Sequence, residues 1–161
     1  MAGKAVLLAV VGSLVLAASA YGALIVGTPG DDALVGTPDA DLIYGKAGDD
    51  SIRARGGPDE IHGQADGDRI KAGAGSDVSY GGRGPDSMWA GRGMDRQFGG
   101  PGDDVLHALA DDDELDVVDC GRGQDVAWLS VNERGLYRIG DCEILKIVVP
   151  SAEQVAEEDE D

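Results

Sequence analysis

Aspartates recur along this chain at intervals of nine residues, and their carboxylates are the groups most able to do chemistry. The series is Asp32, Asp41, Asp50, Asp59, Asp68, Asp77, Asp86, Asp95, Asp104 and Asp113. Catalysis by carboxylates needs one distinct pair in a cleft, and ten acids at one repeated position do not provide it. The net charge is −18, from 31 acidic and 13 basic residues. Such a chain repels itself when compact unless cations neutralise it, and it is a poor partner for nucleic acid.

The residues around each aspartate repeat as well. From Gly27 the chain divides into ten units of nine, beginning with GTPGDDALV at 27–35 and ending with ALADDDELD at 108–116. Position one is glycine or alanine throughout, and position six is the aspartate. Position four is glycine in seven units and Asp39, Asp66 or Asp111 in the others. Glycine reaches positive φ without a steric penalty and aspartate tolerates it, so positions one to six predict a tight turn.

Position eight carries the apolar residue of each unit. It is aliphatic or methionine in Leu34, Ile43, Ile52, Ile61, Ile70, Met88, Leu106 and Leu115, and Ser79 and Gln97 interrupt the series. A three-residue strand over positions seven to nine points position eight to one face and its neighbours to the other. One inward residue per unit cannot form a core alone, but stacked units cover one another.

This pattern resembles the nonapeptide G-G-x-G-x-D-x-U-x, with U aliphatic, of the RTX (hemolysin-type) calcium-binding proteins, over residues 27–116. The resemblance implies an all-β fold, a parallel β-roll or right-handed β-solenoid, in which two units complete one coil. It also implies two columns of turns, each with every second aspartate. Several calcium ions would lie between vertically adjacent turns, since calcium takes six to eight oxygen ligands.

The resemblance also assigns the ligands. Position-six carboxylates of all ten aspartates would bind calcium, together with turn carbonyls at Gly30, Gly48, Gly57, Gly75, Gly82, Gly84, Gly91, Gly93, Gly100 and Gly102. Two columns of five turns leave at most about eight gaps. Asp86 and Asp104 have the best turns, followed by Asp95. Position two departs from glycine in the first five units, where Lys46 and Arg55 bring positive charge; these turns are expected to bind weakly or to turn the side chains to solvent.

Position nine of the even units predicts a row of rings on the outer face: Tyr44, His62, Tyr80 and Phe98. Packing of rings between neighbouring strands is the first interpretation. A contact face for a cell-surface glycan or protein is the alternative. His62 and His107 have no nucleophile or ordered acid that would indicate catalysis.

The N-terminus has the pattern of a secretory signal. Lys4 precedes an apolar run at 5–18 and the small triplet Ala18-Ser19-Ala20, which predicts cleavage near Ala20. An uncleaved membrane anchor is the alternative, although the apolar run is short for a span of ~20 residues. The expected organisation is therefore a signal at 1–20, a lead-in at 21–26 and repeats at 27–116, in an extracellular, secreted protein that is not embedded in the membrane.

The C-terminal segment is expected to close the solenoid. The frame slips by three after Asp116, and CGRGQDVAW at 120–128 restarts it. Residues 117–149 predict a small β cap with a hairpin around 132–135, and residues 150–161 predict an acidic, disordered tail. Two cysteines in an exported chain most simply form one disulfide, here Cys120–Cys142, tying the cap to the last coil.

The function that follows is a secreted calcium-binding repeat protein, not an enzyme, with a structural or adhesive role. Without calcium the acidic, glycine-rich chain is expected to be disordered, so binding and folding become one equilibrium. The alternatives are an adhesin or glycan-binding module that uses the ring face, and a polysaccharide-cleaving β-solenoid enzyme, which the equivalence of the acids disfavours.

Overall fold

The computed structural model describes residues 7–10, 13–17, 22–109, 114–130 and 137–148. The elements among these residues are strands: β1 (Leu7–Val10), β2 (Ser13–Ala17), β3 (Ala23–Val26), β4 (Ala33–Val35), β5 (Leu42–Ala47), β6 (Ser51–Gly56), β7 (Glu60–Ala65), β8 (Arg69–Ala74), β9 (Val78–Arg83), β10 (Ser87–Arg92), β11 (Arg96–Pro101), β12 (Val105–Ala108), β13 (Asp116–Arg122), β14 (Val126–Ser130), β15 (Tyr137–Gly140) and β16 (Ile144–Val148). Over these ranges, no helix has the length and apolar character to cross a membrane.

The strands alternate between two sheets. The odd-numbered strands from β3 to β15 form sheet A, and the even-numbered strands from β4 to β16 form sheet B. Neighbours within each sheet are parallel and two units apart, so that Ile43 pairs with Ile61 and Ile52 with Ile70. A chain that passes from one parallel sheet to the other once per unit is a β-solenoid, here of about six turns. The fold class predicted from the sequence is confirmed.

Strands β5 to β11 are each six residues long, and the prediction of three-residue strands is wrong for them. β6 covers positions seven to nine of one unit and positions one to three of the next. Pairing continues into the following unit, where Lys46 lies opposite Gln64. The reason is that position one also points inward, since Ala54 and Ala72 are buried. Each of these strands therefore has two inward positions instead of one, and the second is alanine in β6, β8 and β10 of sheet B and glycine in β5, β7, β9 and β11 of sheet A.

The core is a line of position-eight side chains on each sheet. On sheet B the line is fully buried and consists of Leu34, Ile52, Ile70, Met88 and Leu106. On sheet A it begins with Ile25, Ile43 and Ile61. The two lines face each other across the solenoid and form one hydrophobic cluster, as the stacking argument requires.

The nine-residue frame slips by three before Asp116, whereas the sequence suggested a slip after it. Gln97 pairs with Val118, and Leu106 with Ala127, each 21 residues later instead of 18. The extra residues therefore fall between β12 and β13. As a result Val118 is the buried member of the line, and Leu115, which was predicted to point inward, is 43% exposed.

Gln97 is the weak point of the sheet A line. It lies opposite Ser79 and is 1% exposed, yet neither its Oε1 nor its Nε2 has a hydrogen-bond partner. A buried polar group without a partner costs about 1–3 kcal/mol. We therefore expect Gln97→Leu to raise the free energy of unfolding by about 1–3 kcal/mol in saturating calcium, measured by denaturant titration. Gln124→Leu, on an exposed turn residue, should stay within about 0.5 kcal/mol of the parent; a loss of stability in Gln97→Leu would contradict this.

The C-terminal strands continue the solenoid. β15 pairs with β13 in sheet A and β16 with β14 in sheet B, all in parallel. The hairpin expected around 132–135 is therefore wrong, because β14 and β15 belong to different sheets. The predicted disulfide is present between Cys120 and Cys142, with an S–S distance of 2.02 Å. It ties β13 to the segment before β16. The predicted tail at 150–161 lies outside the described residues.

At the other end, two strands fall within the predicted secretory signal. β1 and β2 pair with each other, and β2 pairs with β3, all antiparallel. Residues 1–6, 11–12 and 18–21 lie outside the described part. Removal of residues 1–20 therefore stays a prediction. Leu24 of β3 is 39% exposed, so the first coil presents an apolar outer residue at this end.

Candidate metal centre

The turns between the sheets stack into two columns, one at each edge of the solenoid. In the first column the chain passes from sheet A to sheet B, and in the second it returns. Each turn ends at the position-six aspartate, which is buried in every described unit of the repeat. The aspartates predicted to share a column therefore do so.

Within each column, the carboxylate of each aspartate accepts a hydrogen bond from the backbone of the coil before it. Asp50 Oδ1 accepts a hydrogen bond from the Asp32 N–H, 18 residues earlier, at 2.8 Å. The same bond, at 2.7–2.9 Å, recurs between successive aspartates Asp41, Asp59, Asp77 and Asp95, and Asp50, Asp68, Asp86 and Asp104. After the slip, Asp116 and Asp125 continue the columns. Asp113, predicted for this place, lies outside the described residues.

The second carboxylate oxygen is buried without a partner. This applies to Oδ2 of Asp50, Asp59, Asp68, Asp77, Asp86, Asp104 and Asp125. Burying a charged oxygen without compensation is costly. Carboxylate oxygens are the ligands that calcium prefers, and an ion between two turns would compensate several of them at once. The aspartates therefore fit a calcium ion.

Backbone carbonyls lie next to these oxygens. A Cβ placed on Gly81 would touch both Asp86 Oδ2 and the Gly99 carbonyl oxygen, the latter at 2.8 Å. The corresponding carbonyl at Gly63 is that of Gly81, at 2.6 Å. In the first column, glycine at position one leaves this space open between coils, whereas the second column has alanine there at Ala54, Ala72 and Ala90. Among the described side chains, no three acids, histidines or cysteines cluster as a metal site, so an ion here would draw on carbonyls as well as carboxylates.

Positive φ angles at positions two and four give the turns their shape. Gly82 and Gly84 have φ of +121° and +120°, and a side chain there would strike the Gln64 and Asp66 carbonyls. Positive φ is also found at the predicted glycines Gly48, Gly57, Gly75, Gly91, Gly93 and Gly100, but not at Gly30 and Gly102. Calcium ligation by the carbonyls of these glycines stays a prediction.

Without a bound cation, ionisation of the buried aspartates in the two columns is disfavoured. Burial raises the pKa of Asp59 to about 8, of Asp68 and Asp86 to about 7, and of Asp77 and Asp104 to about 6. Hydrogen bonds from backbone N–H groups lower each pKa but do not offset the loss of water. A bound cation would reverse this balance.

The first turn of each column is different, because threonine replaces glycine at position two. Thr28 donates to Asp32 Oδ2 from its N–H and from its hydroxyl, at 2.5 and 3.0 Å. Thr37 donates its N–H to Asp41 Oδ2 at 2.5 Å. The carboxylates of Asp32 and Asp41 are thus satisfied by the protein, unlike those deeper in the columns.

The side chains of Lys46 and Arg55 do not point out into solvent. Side chains turned to solvent were one of the two outcomes expected from the sequence, and weak binding at these turns was the other. Lys46 Nζ donates to the Gly27 carbonyl at 2.7 Å, and Arg55 Nη1 to the Gly36 carbonyl at 3.1 Å. Both cations lie against the preceding turn of their own column. The sequence predicted positive charge at these turns. It did not predict the contacts with the carbonyls, because these depend on the direction in which a side chain points from a residue at positive φ.

The predicted row of rings is present on sheet A. Tyr44, His62, Tyr80 and Phe98 stack with centroids 4.8–5.1 Å apart and planes within 17° of parallel. Because each ring covers the face of the next, the row presents ring edges to solvent. Packing between strands is therefore the role that the contacts support.

A second row of rings on sheet B was missed. Trp89, His107 and Trp128 stack within 4° of parallel, with Arg69 and Lys146 over the outer faces of the two tryptophans. Burial lowers the pKa of His107 to about 4, aided by Arg69, so the histidine is neutral at pH 7. Trp89 and His107 lie at position nine of odd units, so the sequence could have indicated this row. Trp128 follows the slip in the nine-residue frame and therefore does not fall in the same series.

Comparison with known proteins agrees with the geometry. The family model for the RTX calcium-binding nonapeptide repeat (4 copies) matches residues 26–61, 53–88 and 89–127. These matches span well over half of the chain, which belongs to the RTX calcium-binding nonapeptide-repeat family. No curated protein and no solved structure gives a significant match.

Proposed function

We propose that the chain is a secreted calcium-binding repeat protein whose solenoid folds as calcium fills the gaps between turns. The observation that carries this proposal is the series of buried Oδ2 atoms without partners, which belong to Asp50, Asp68, Asp86, Asp104 and Asp125 in the first column and to Asp59 and Asp77 in the second. Stacked carboxylates about 4.8 Å apart, the spacing of neighbouring strands, repel one another until a divalent ion lies between them. Binding and folding are then one equilibrium.

Export supports this proposal in two ways. The signal-like residues 1–20 predict secretion, and the Cys120–Cys142 disulfide belongs to an oxidising compartment. Extracellular calcium modules bind at ~10⁻⁴–10⁻³ M, far above the free calcium inside cells. The chain would therefore stay unfolded until it leaves the cell.

A structural role is favoured over catalysis. The buried carboxyls of Asp59, Asp68, Asp77, Asp86 and Asp104 share one position, one hydrogen-bond pattern and one direction of pKa shift, so no pair is set apart as acid and base. The edge-on arrangement of the sheet A rings also gives less support to a glycan platform, because sugars stack on ring faces.

The test is far-UV circular dichroism of the purified protein during a titration from chelator to ~10 mM calcium, a range that covers extracellular affinities. We expect a change from coil to β-structure with calcium, and little change with the same concentration of magnesium, which demands a tighter octahedral site. Full β-structure in chelator, unchanged by calcium, would contradict the proposal.

A further inference from the structure

We propose that Lys46 and Arg55 replace calcium in the first gap of each column. This inference rests on the calcium-binding function proposed above and states which gaps take no ion. The first gap is defined as the space between turns 27–32 and 45–50 in the first column, and between turns 36–41 and 54–59 in the second. Lys46 and Arg55 occupy position two of the later turn in each case.

Both cations are held on carbonyls of the facing turn. Lys46 Nζ lies 2.7 Å from the Gly27 oxygen, and Arg55 Nη1 lies 3.1 Å from the Gly36 oxygen, each exactly one coil and one residue back along the chain. These are position-one carbonyls. In a later gap a position-one carbonyl of the following turn, that of Gly99, lies beside the unpartnered Oδ2 of Asp86.

The backbone at both residues is placed where a side chain is disfavoured. Lys46 and Arg55 have φ of +94° and +86°, a region that residues with a Cβ seldom occupy. Glycine holds the same position in later turns, at Gly82 and Gly100. The charged side chains therefore stand in a conformation that the turn imposes, and their contacts with the carbonyls compensate for it.

The carboxylates of the first gaps are also engaged. The backbone N–H groups of Thr28 and Thr37 donate to Oδ2 of Asp32 and Asp41 at 2.5 Å, and the threonine hydroxyls donate to the same carboxylates at 3.0 and 2.9 Å. Each first gap thus has donors on its carboxylate and a cation on its carbonyl, and both come from the protein. Gln64 shows the contrast: its φ is +88°, it carries no charge, and in the gap between its turn and turn 45–50 the Oδ2 of Asp50 has no partner.

The N-terminal coil is therefore closed without metal, and calcium binding begins at the second gap. The sequence offers a direct comparison, because turn 27–32, GTPGDD, differs from turn 99–104, GGPGDD, only at position two. Thr28→Gly converts the first into the second. Combined with Lys46→Gly, it removes both the hydroxyl and the ammonium from the first gap.

The experiment counts bound ions by native mass spectrometry of the full chain in saturating calcium. We expect Thr28→Gly/Lys46→Gly to bind one ion more than the wild type, and Thr37→Gly/Arg55→Gly also one more. The reverse change is Gln64→Lys, whose ammonium would reach the Gly45 carbonyl as Lys46 reaches that of Gly27; it should bind one ion fewer. This variant tests the inference even where the glycine pairs do not fold.

Gln64→Gly is the matched control, since it relieves the same positive φ without removing a charge. Its ion count should equal that of the wild type. Unchanged counts in the glycine pairs and in Gln64→Lys would overturn the inference, as would an equal gain in Gln64→Gly. A wild-type chain that binds no calcium would instead overturn the proposed function, so the two failures are distinguishable.

Discussion

Asp104→Asn is expected to weaken the calcium-loaded protein and to stabilise the calcium-free one. Asparagine keeps the oxygen that accepts the Asp86 N–H at 2.8 Å but loses the charge on the buried, unpartnered Oδ2. In saturating calcium the free energy of unfolding should fall by about 3 kcal/mol, the scale of an interaction with a charged group. In chelator at pH 8 it should rise by about 1–3 kcal/mol, because burial raises the pKa of Asp104 to about 6 and the ionised form is penalised.

The neighbouring residue provides the control. Asp103 is exposed, and its Oδ1 accepts the Gln124 N–H at 2.9 Å, a bond that asparagine can also make. Asp103→Asn should therefore change stability by less than about 0.5 kcal/mol in either condition. Denaturant titration in calcium, and the β-structure content by far-UV circular dichroism in chelator, measure both variants. A loss of stability for Asp104→Asn in both conditions would show that its carboxylate is needed for packing alone.

Acid is expected to stabilise the calcium-free protein. The pKa of Asp59 is raised to about 8 and those of Asp68 and Asp86 to about 7, above the value of 3.8 from which they start. A carboxyl whose pKa is higher in the folded chain binds its proton more tightly there, so its contribution is complete below pH 3.8 and is lost as pH rises through 6–8. In chelator, lowering the pH from 8 to 5 should add about 3 kcal/mol or more to the free energy of unfolding.

Saturating calcium should reverse this trend. Protons and calcium compete for the same oxygens, so affinity for the metal falls as the carboxylates become protonated. Far-UV circular dichroism at pH 5, 6, 7 and 8, read as β-structure content in chelator and followed against denaturant in calcium, measures both slopes. Calcium-free stability that increases with pH would contradict the burial of these aspartates in the folded columns.

Much of this architecture follows from the nine-residue period. The invariant Asp50, Asp68 and Asp86 share one face because the period of eighteen is set by the two-sheet coil, and Ile52 and Ile70 follow from the alternation along a strand. The Cys120–Cys142 disulfide follows from having two cysteines in a chain with a predicted secretory signal. The aspartate columns and the core lines repeat, and for this reason residue types alone predict their local geometry.

The features that were missed depend on single side chains or on insertions. Three additional residues between β12 and β13 moved Leu115 outward and brought Asp116 into the second column, and no residue type marks where an insertion is absorbed. The direction of Lys46 depends on its φ of +94°, which glycine would usually adopt. The strands are longer than predicted because position one also points inward, and only the closed coil shows this.

The hydrogen bonds between aspartates give the solenoid a direction. Each aspartate N–H is satisfied by a carboxylate that lies one coil further toward the C-terminus. Loss of an N-terminal coil leaves every remaining aspartate N–H with its carboxylate acceptor. Loss of a C-terminal coil leaves a buried N–H without an acceptor in the coil before it. The hydrogen bonds of each coil are therefore complete only when the following coil is in place, and removal of a C-terminal coil costs more of them than removal of an N-terminal one.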